Sequence, residues 1–381
     1  MLIVEIVKRW ACGLLLLTSF VSAAACDWPA WQQFKHDYIS DVGRVIDPSS
    51  PQKITTSEGQ SYGLFFALVA NDREIFDQLL TWTENNLAAG DLTARLPAWL
   101  WGQHKQQNWD VLDPNSASDA DVWIAYSLLE AGRLWNHRRY QTMGTLLLQR
   151  IAKDEVVNIP GLGKMLLPGK IGFYNDDRWR LNPSYLPPQL LTRFASLAGP
   201  WQAMLEVNQR LLLETAPQGF SPDWVVWQKG TGWQSDETRP NIGSYDAIRT
   251  YLWVGMLSDN SPQKAELIQR FQSMAAVTQQ QGLPPENINT SNGKISGNGS
   301  EGFSAALLPF LVSSPKPFNQ QTLRVQQQRV QDSPPGRDDY YSAVLTLFGQ
   351  GWSQHRYRFN RQGELQSSWN SQYVTLKYTD H

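Results

Sequence analysis

The stretch Ser116-Ala117-Ser118-Asp119-Ala120-Asp121-Val122-Trp123-Ile124-Ala125 opens an apolar run that continues to Trp135. Apolar residues fall at Val122, Ile124, Ala125, Leu128, Leu129, Ala131 and Leu134, which is mostly helical spacing. Ser116 or Ser118 would serve as N-cap, and acids suit a first helical turn. An ordinary capped helix explains all of this. Two features point further. Trp99, Trp101 and Trp109 lie just upstream as pocket-forming aromatics, and two more acid-bearing helix starts occur, at Glu58 and Asp246.

Working outward, the whole chain reads as helical segments separated by Pro-, Gly- and Trp-rich loops. The pattern predicts helices over 31–39, 58–70, 73–86, 120–135, 140–156, 188–195, 202–215, 246–257, 262–281, 302–312 and 339–352. Ser57 would cap the second. Strand signals are weak, the best being 223–227 and 373–378. The Pro- and Gln-rich segment 313–337 reads as a surface excursion, and the polar tail from about 358 as loosely held. Eleven or so helices in consecutive pairs exceed a four-helix bundle and suit an all-α toroid of helical hairpins with long aromatic-rich loops.

The chain of 381 residues carries 17 Trp, 14 Phe and 13 Tyr, enough for one large core. Its net charge of −2 shows no basic footprint for nucleic acid and no Lys/Arg block for an anionic membrane. Lys8 and Arg9, the apolar run 11–21 and the small residues Ser22-Ala23-Ala24-Ala25 form a secretory signal. We therefore expect a signal peptide at 1–24, a single catalytic domain at 25–381, and a periplasmic or secreted product with no membrane span. Cys12 leaves with the signal and Cys26 has no partner, so no internal disulfide is expected. The five His lack metal-ligand spacing, and no phosphate loop or nucleophile elbow is present. No metal or cofactor is expected.

Three acids are the candidates for chemistry. Glu58 sits in Ser57-Glu58-Gly59-Gln60-Ser61-Tyr62-Gly63, with Tyr62 one turn on. Two Gly at a helix start cost about 1 kcal/mol each relative to Ala, so close approach of a ligand or another backbone is expected there. A capping-box acid is the plain alternative. Asp119 and Asp121 point in different directions on a helix, so at most one of them is expected to face a shared pocket. Asp246, in Ser244-Tyr245-Asp246-Ala247-Ile248-Arg249, has Arg249 at i+3 to keep it ionised; a structural salt bridge is its alternative. Glu58 has no cation within a turn. It could hold a proton if buried near Asp119, although a helix N-terminus opposes this. Acids with separated pKa values are what glycosidic cleavage needs, and Trp and Tyr offer flat faces to pyranose rings.

Together these motifs resemble the signature of glycoside hydrolase family 8, and similar stretches such as ITTSEGQSYG (54–63), RLPAWLWG (95–102) and LNPSYLPP (181–188) cover essentially the whole mature chain. Within the family the similarity is greatest to the periplasmic endoglucanases associated with bacterial cellulose synthase. The resemblance implies an (α/α)6 barrel that hydrolyses β-1,4-glucan with inversion. It implies Glu58 as proton donor, Asp246 as the base that activates water, and Asp119 as the acid at the cleaved sugar. Arg249 would hold Asp246; Trp99, Tyr62, Tyr185, Tyr340 and Tyr341 would contact substrate. Cellulose is the implied substrate, the synthase machinery a functional associate, and a monomer the expected state. Chitosan, mixed-linkage glucan and xylan are the alternative substrates, and a non-catalytic glucan-binding partner the alternative role.

Overall fold

The computed structural model describes residues 28–104, 108–315 and 319–370. The expected signal peptide, Cys26 and the strand expected at 373–378 lie outside the described residues. The described residues form thirteen helices: α1 (Pro29–Tyr38), α2 (Ser57–Val69), α3 (Arg73–Leu87), α4 (Ser118–Leu134), α5 (Arg138–Asp154), α6 (Pro188–Ala195), α7 (Trp201–Glu214), α8 (Ala247–Met256), α9 (Lys264–Arg270), α10 (Gln272–Gln281), α11 (Glu301–Ser313), α12 (Asn319–Asp332) and α13 (Tyr340–Ser353).

Burial sorts all but α10 into two rings. Every residue of α8 is buried, and every residue of α2 except Glu58. A helix apolar all round belongs inside a larger assembly. The inner ring runs α2, α4, α6, α8, α11, α13, each packed on the next. It closes where Phe348 of α13 meets Phe65 and Phe66 of α2 at 5.5 and 4.6 Å between ring centroids. Outer helices α3, α5, α7, α9, α12 and α1 each back one inner helix. They are amphipathic: α5 buries Tyr140, Met143, Gly144, Leu147, Leu148 and Ile151 and turns its charges outward. This is the (α/α)6 barrel.

Aromatic rings fill the barrel centre. Trp123 of α4 packs on Trp253 of α8 at 5.4 Å, and both contact Phe348. Such pairs contribute about 0.5–1.5 kcal/mol each beyond their buried area. The inner helices also need small residues at their crossings. A side chain at Gly349 would strike the backbone of Ala305, and one at Gly255 the backbone of Phe310.

Short strands collect where the loops enter the inner helices. β1 (Thr55–Thr56), β2 (Leu100–Gln103) and β3 (Trp109–Asp113) form an antiparallel sheet, and β1 leads directly into α2. Ile242–Gly243 pairs with Pro285–Asn289 just before α8, and Ile295–Asn298 completes that sheet before α11. The expected strand near 223–227 is Val225–Gln228, within a four-stranded sheet.

Five expectations are corrected. The helix expected at 262–281 breaks at Phe271 into α9 and α10. Part of the surface excursion at 313–337 is α12, which buries only the stripe Thr322, Gln326 and Val330, so its hydropathy is too low to announce a helix. The tail from 358 is docked up to residue 370. Tyr357–Phe359 and Leu365–Ser367 form a hairpin with Tyr357, Phe359 and Leu365 buried. It is clamped because Leu365 N–H donates to Glu130 and Tyr126 Oη to the Gly363 carbonyl, both at 2.8 Å. Ser57 is not the cap of α2: Thr56 is, accepting from Gly59 N–H at 3.0 Å. Neither Ser116 nor Ser118 caps α4, because Ser116 Oγ is drawn instead to Glu155.

Candidate active site

The barrel brings three acids to one end. Glu58 lies in the first turn of α2, Asp119 in the first turn of α4, and Asp246 at the N-cap of α8. Each helix N-terminus favours an anion by roughly 0.3–1 kcal/mol at an exposed site. A single cation ties them together. Arg249, one turn into α8 and 3% exposed, spans all three. Its Nη1 contacts Glu58 Oε2 and lies 3.4 Å from Asp119 Oδ2; its Nη2 donates to Asp246 Oδ1 at 2.7 Å. The sequence reading gave Arg249 to Asp246 alone and left Glu58 without a cation. That is corrected: the ring of helices closes a separation of 191 residues that no local pattern shows.

Electrostatics single out Asp119. Burial pushes its carboxyl well above the usual range, the Glu58 charge adds to this, and Arg249 opposes it. The Glu58 and Asp119 carboxyls adjoin each other on the guanidinium, both within reach of Arg249 Nη1. Burial pulls the Arg249 guanidinium down, but the surrounding oxygens, Tyr62 and Glu58 foremost, hold it well above its ordinary value. Asp119 Oδ1 accepts from Ala120 N–H at 2.8 Å, which fixes the carboxyl within its own helical turn. Asp121 points away, fully buried, toward Glu155.

The aromatic candidates divide. Tyr62 is buried between Trp123 and Phe348, and its Oη accepts from Arg249 at 3.3 Å. It supports the guanidinium from below and does not reach the cleft. Tyr185 covers the guanidinium from another side, 5.7 Å from ring centroid to Cζ. Tyr340 and Tyr341 line a cleft of about 520 Å³ with Glu58, Gly59, Thr56 and Asp47. The Tyr340 hydroxyl lies 2.7 Å from where a side chain at Gly59 would begin, which is why the motif has glycine there. Tyr341 Oη donates to the Tyr245 carbonyl at 2.6 Å, linking α13 to the Asp246 loop. Trp99 is half-buried, and its backbone joins two helix starts: its carbonyl accepts from Ser57 N–H at 3.0 Å and its N–H donates to Asn115 at 2.8 Å. Trp101 and Trp109 stack on each other at 5.4 Å beside Arg44, forming a group on the β2–β3 hairpin.

Comparison with known proteins gives the family. The model of glycosyl hydrolases family 8 matches residues 5–355. This chain belongs to glycosyl hydrolases family 8. It is 60% identical to an endoglucanase of Escherichia coli K12 over 93% of this chain and 95% of that one. The crystal structure of an endo-1,4-D-glucanase from Vibrio fischeri is similar with TM-score 0.87 and 48% identity, covering 90% of this chain and 99% of that one. The endo-β-1,4-glucanase of Acetobacter xylinum is similar with TM-score 0.69 and 27% identity, covering 84% and 95%.

Three residues of this glycosyl hydrolase that surround the acids escaped the sequence reading. Trp224 donates from Nε1 to Asp246 Oδ2 at 3.0 Å, so Asp246 is gripped through both oxygens. The Trp224 ring is itself wedged between Arg180, 3.8 Å from its centroid, and Tyr185. It lines a second cleft, of about 600 Å³, with Trp233, Asn241 and Thr290. Ser184 accepts from Arg249 Nη2 at 3.2 Å, and its carbonyl is pinned by Trp253 Nε1 at 2.9 Å. Asp223 Oδ1 accepts from Ser244 N–H and Ala247 N–H at 2.7 and 2.9 Å and so caps α8 from a distant loop. The only sequence trace of these was positional: Ser184 adjoins Tyr185, and Asp223 and Trp224 begin a weak strand signal.

Proposed function

We propose that this glycosyl hydrolase is an endo-β-1,4-glucanase that cleaves cellulose chains with inversion. The observation that carries the proposal is the convergence of Glu58, Asp119 and Asp246 on Arg249, with Glu58 in the wall of an open cleft. Glu58 lines one cleft, and Trp224, bonded to Asp246, lines the other. A chain lying across both would place an internal linkage over the acids, which is endo action.

Glu58 protonates the glycosidic oxygen. Asp119, buried beside Glu58, and Arg249, on Glu58 Oε2, set the field in which this acid works. Asp246, oriented by Arg249 and Trp224, takes a proton from the water that attacks the anomeric carbon. Inversion needs room for that water, about 6.5–9.5 Å between the acid and base carboxyls. A guanidinium that reaches one carboxylate with each terminal nitrogen supports such a separation. Asp119 lies beside the cleaved ring and governs the Glu58 proton. Tyr341, Tyr340 and Trp99 offer faces and edges to neighbouring sugars.

The basic and apolar N-terminus supports export to the periplasm, where the enzyme would trim or release glucan chains during cellulose synthesis. Substituting Glu58→Gln keeps shape and removes the acid, so hydrolysis of soluble cellulose should fall by about 10²–10⁴-fold. Calorimetry should still show cello-oligosaccharide binding. Near wild-type turnover in that variant would remove Glu58 from the acid role. Faster cleavage of chitosan, mixed-linkage glucan or xylan than of cellulose by the wild type would replace the substrate.

A further inference from the structure

Behind Asp119 lies a second pair of carboxyls that the mechanism above does not use. Asp121 and Glu155 are both fully buried, one in the first turn of α4 and the other at the C-cap of α5. The two carboxyls face each other across the α4–α5 contact, where burial raises both and the Glu155 charge raises Asp121 further. Neither oxygen of Asp121 meets a donor, nor does Glu155 Oε2. Two bare carboxylates in that setting would repel without compensation, so at least one must carry a proton. Glu155 Oε1 accepts from Ser116 Oγ at 2.6 Å, and Ser116 Oγ accepts from Lys170 N–H at 3.0 Å. Ser118 N–H donates to the Pro168 carbonyl at 2.9 Å, and Leu167 N–H to the Glu155 carbonyl at the same distance. The segment 167–170 is thereby strapped across the entry to α4.

We propose that Asp121 and Glu155 share a proton and act as positioning residues, clamping the first turn of α4 so that Asp119 is presented to Glu58 and Arg249. The inference rests on the glucanase reading only for what Asp119 does. Burial raises both carboxyls, and the Glu155 carboxyl is pushed up to about 8. The charged groups facing the pair are Asp119 from α4, Asp154 from α5 and Lys170 from the strap. Asp154 adds to the push, and Lys170 opposes it. A carboxyl raised in the folded state binds its proton more tightly there than in the unfolded chain. Its contribution to stability is therefore present below the ordinary carboxylate range and is lost as pH rises toward about 8.

The test uses Asp121→Asn, Glu155→Gln and Asp121→Ala in the mature protein. The carbonyl stretch of a buried protonated carboxyl should appear in the infrared spectrum of the wild type at neutral pH. Asp121→Asn should remove one such band and leave that of the Asp119 carboxyl, which burial also raises. The fall in melting temperature between pH 5 and 8 should flatten in Glu155→Gln, whose amide keeps the bond without a titrating proton. Asp121→Ala should lower kcat at least tenfold with KM within about twofold, and Asp121→Asn, which can still donate to Glu155, should restore most of it. An infrared spectrum unchanged by Asp121→Asn, or equal losses of kcat in the Ala and Asn variants, would overturn the proposal. The infrared and melting results need no substrate. Their success beside absent cellulose hydrolysis would indict the glucanase reading and leave the pair intact.

Discussion

Arg249 decides the chemistry available at this site. A buried guanidinium is costly unless its charge is matched, and here three carboxyls from three helices match it. Asp246 is the most firmly held of the three, through Arg249 and through Trp224. A hydrogen bond to a charged group contributes about 1.5–3 kcal/mol, so misdirecting this carboxylate matters. Trp224→Phe keeps an aromatic ring beside Arg180 and removes the donor. We expect kcat to fall about tenfold with a melting temperature within about 2 °C of wild type, since one partly exposed bond is lost. An unchanged kcat by steady-state kinetics on cellohexaose would show that Arg249 alone orients Asp246. At this scale the sequence yielded the three acids and Arg249, because each sits in a short helix-start motif. It did not yield Trp224 or Ser184, which come from loops and meet the acids only through the closed ring.

The elements owe their positions to where backbone groups find partners. The first turns of α2 and α8 are satisfied by different means: Thr56 caps α2 locally, while Asp223 caps α8 from 24 residues before Ala247. Asp223 is buried, and its carboxyl is raised by burial and then by the Asp246 charge. Asp223→Ala would leave two buried backbone N–H groups without acceptors, at about 1–3 kcal/mol each. The expected outcome is a loss of roughly 2–4 kcal/mol in urea unfolding, with Asp223→Asn, which keeps an acceptor oxygen, recovering much of it. Equal stability of the Ala variant would mean that other groups cap α8. The inner helices were legible because their apolar runs are long. The helix α12 was not, because Gln326 occupies a core position by bonding to Ser304 and to the Gly282 carbonyl, which no hydropathy pattern reports.

At the scale of the molecule, paired helices foretold a toroid, and six inner helices deliver one. The hairpin that ends the described chain was hidden because its anchors, Tyr126, Glu130 and Arg133, lie more than 200 residues earlier on α4. The placement of the acids follows from the same closure: helices that enter the ring from one end carry their N-termini, and hence Glu58, Asp119 and Asp246, to a common floor. With one cleft at Glu58 and another at Trp224, that floor suits a polymer lying across it, and a water held by Asp246 would attack from the face opposite the departing oxygen. Proton NMR of cellohexaose mixed with the enzyme follows this directly through the anomeric signals of the first products. New reducing ends appearing first as the α-anomer are expected. New ends appearing first as the β-anomer would contradict inversion and turn one of the carboxylates into a nucleophile.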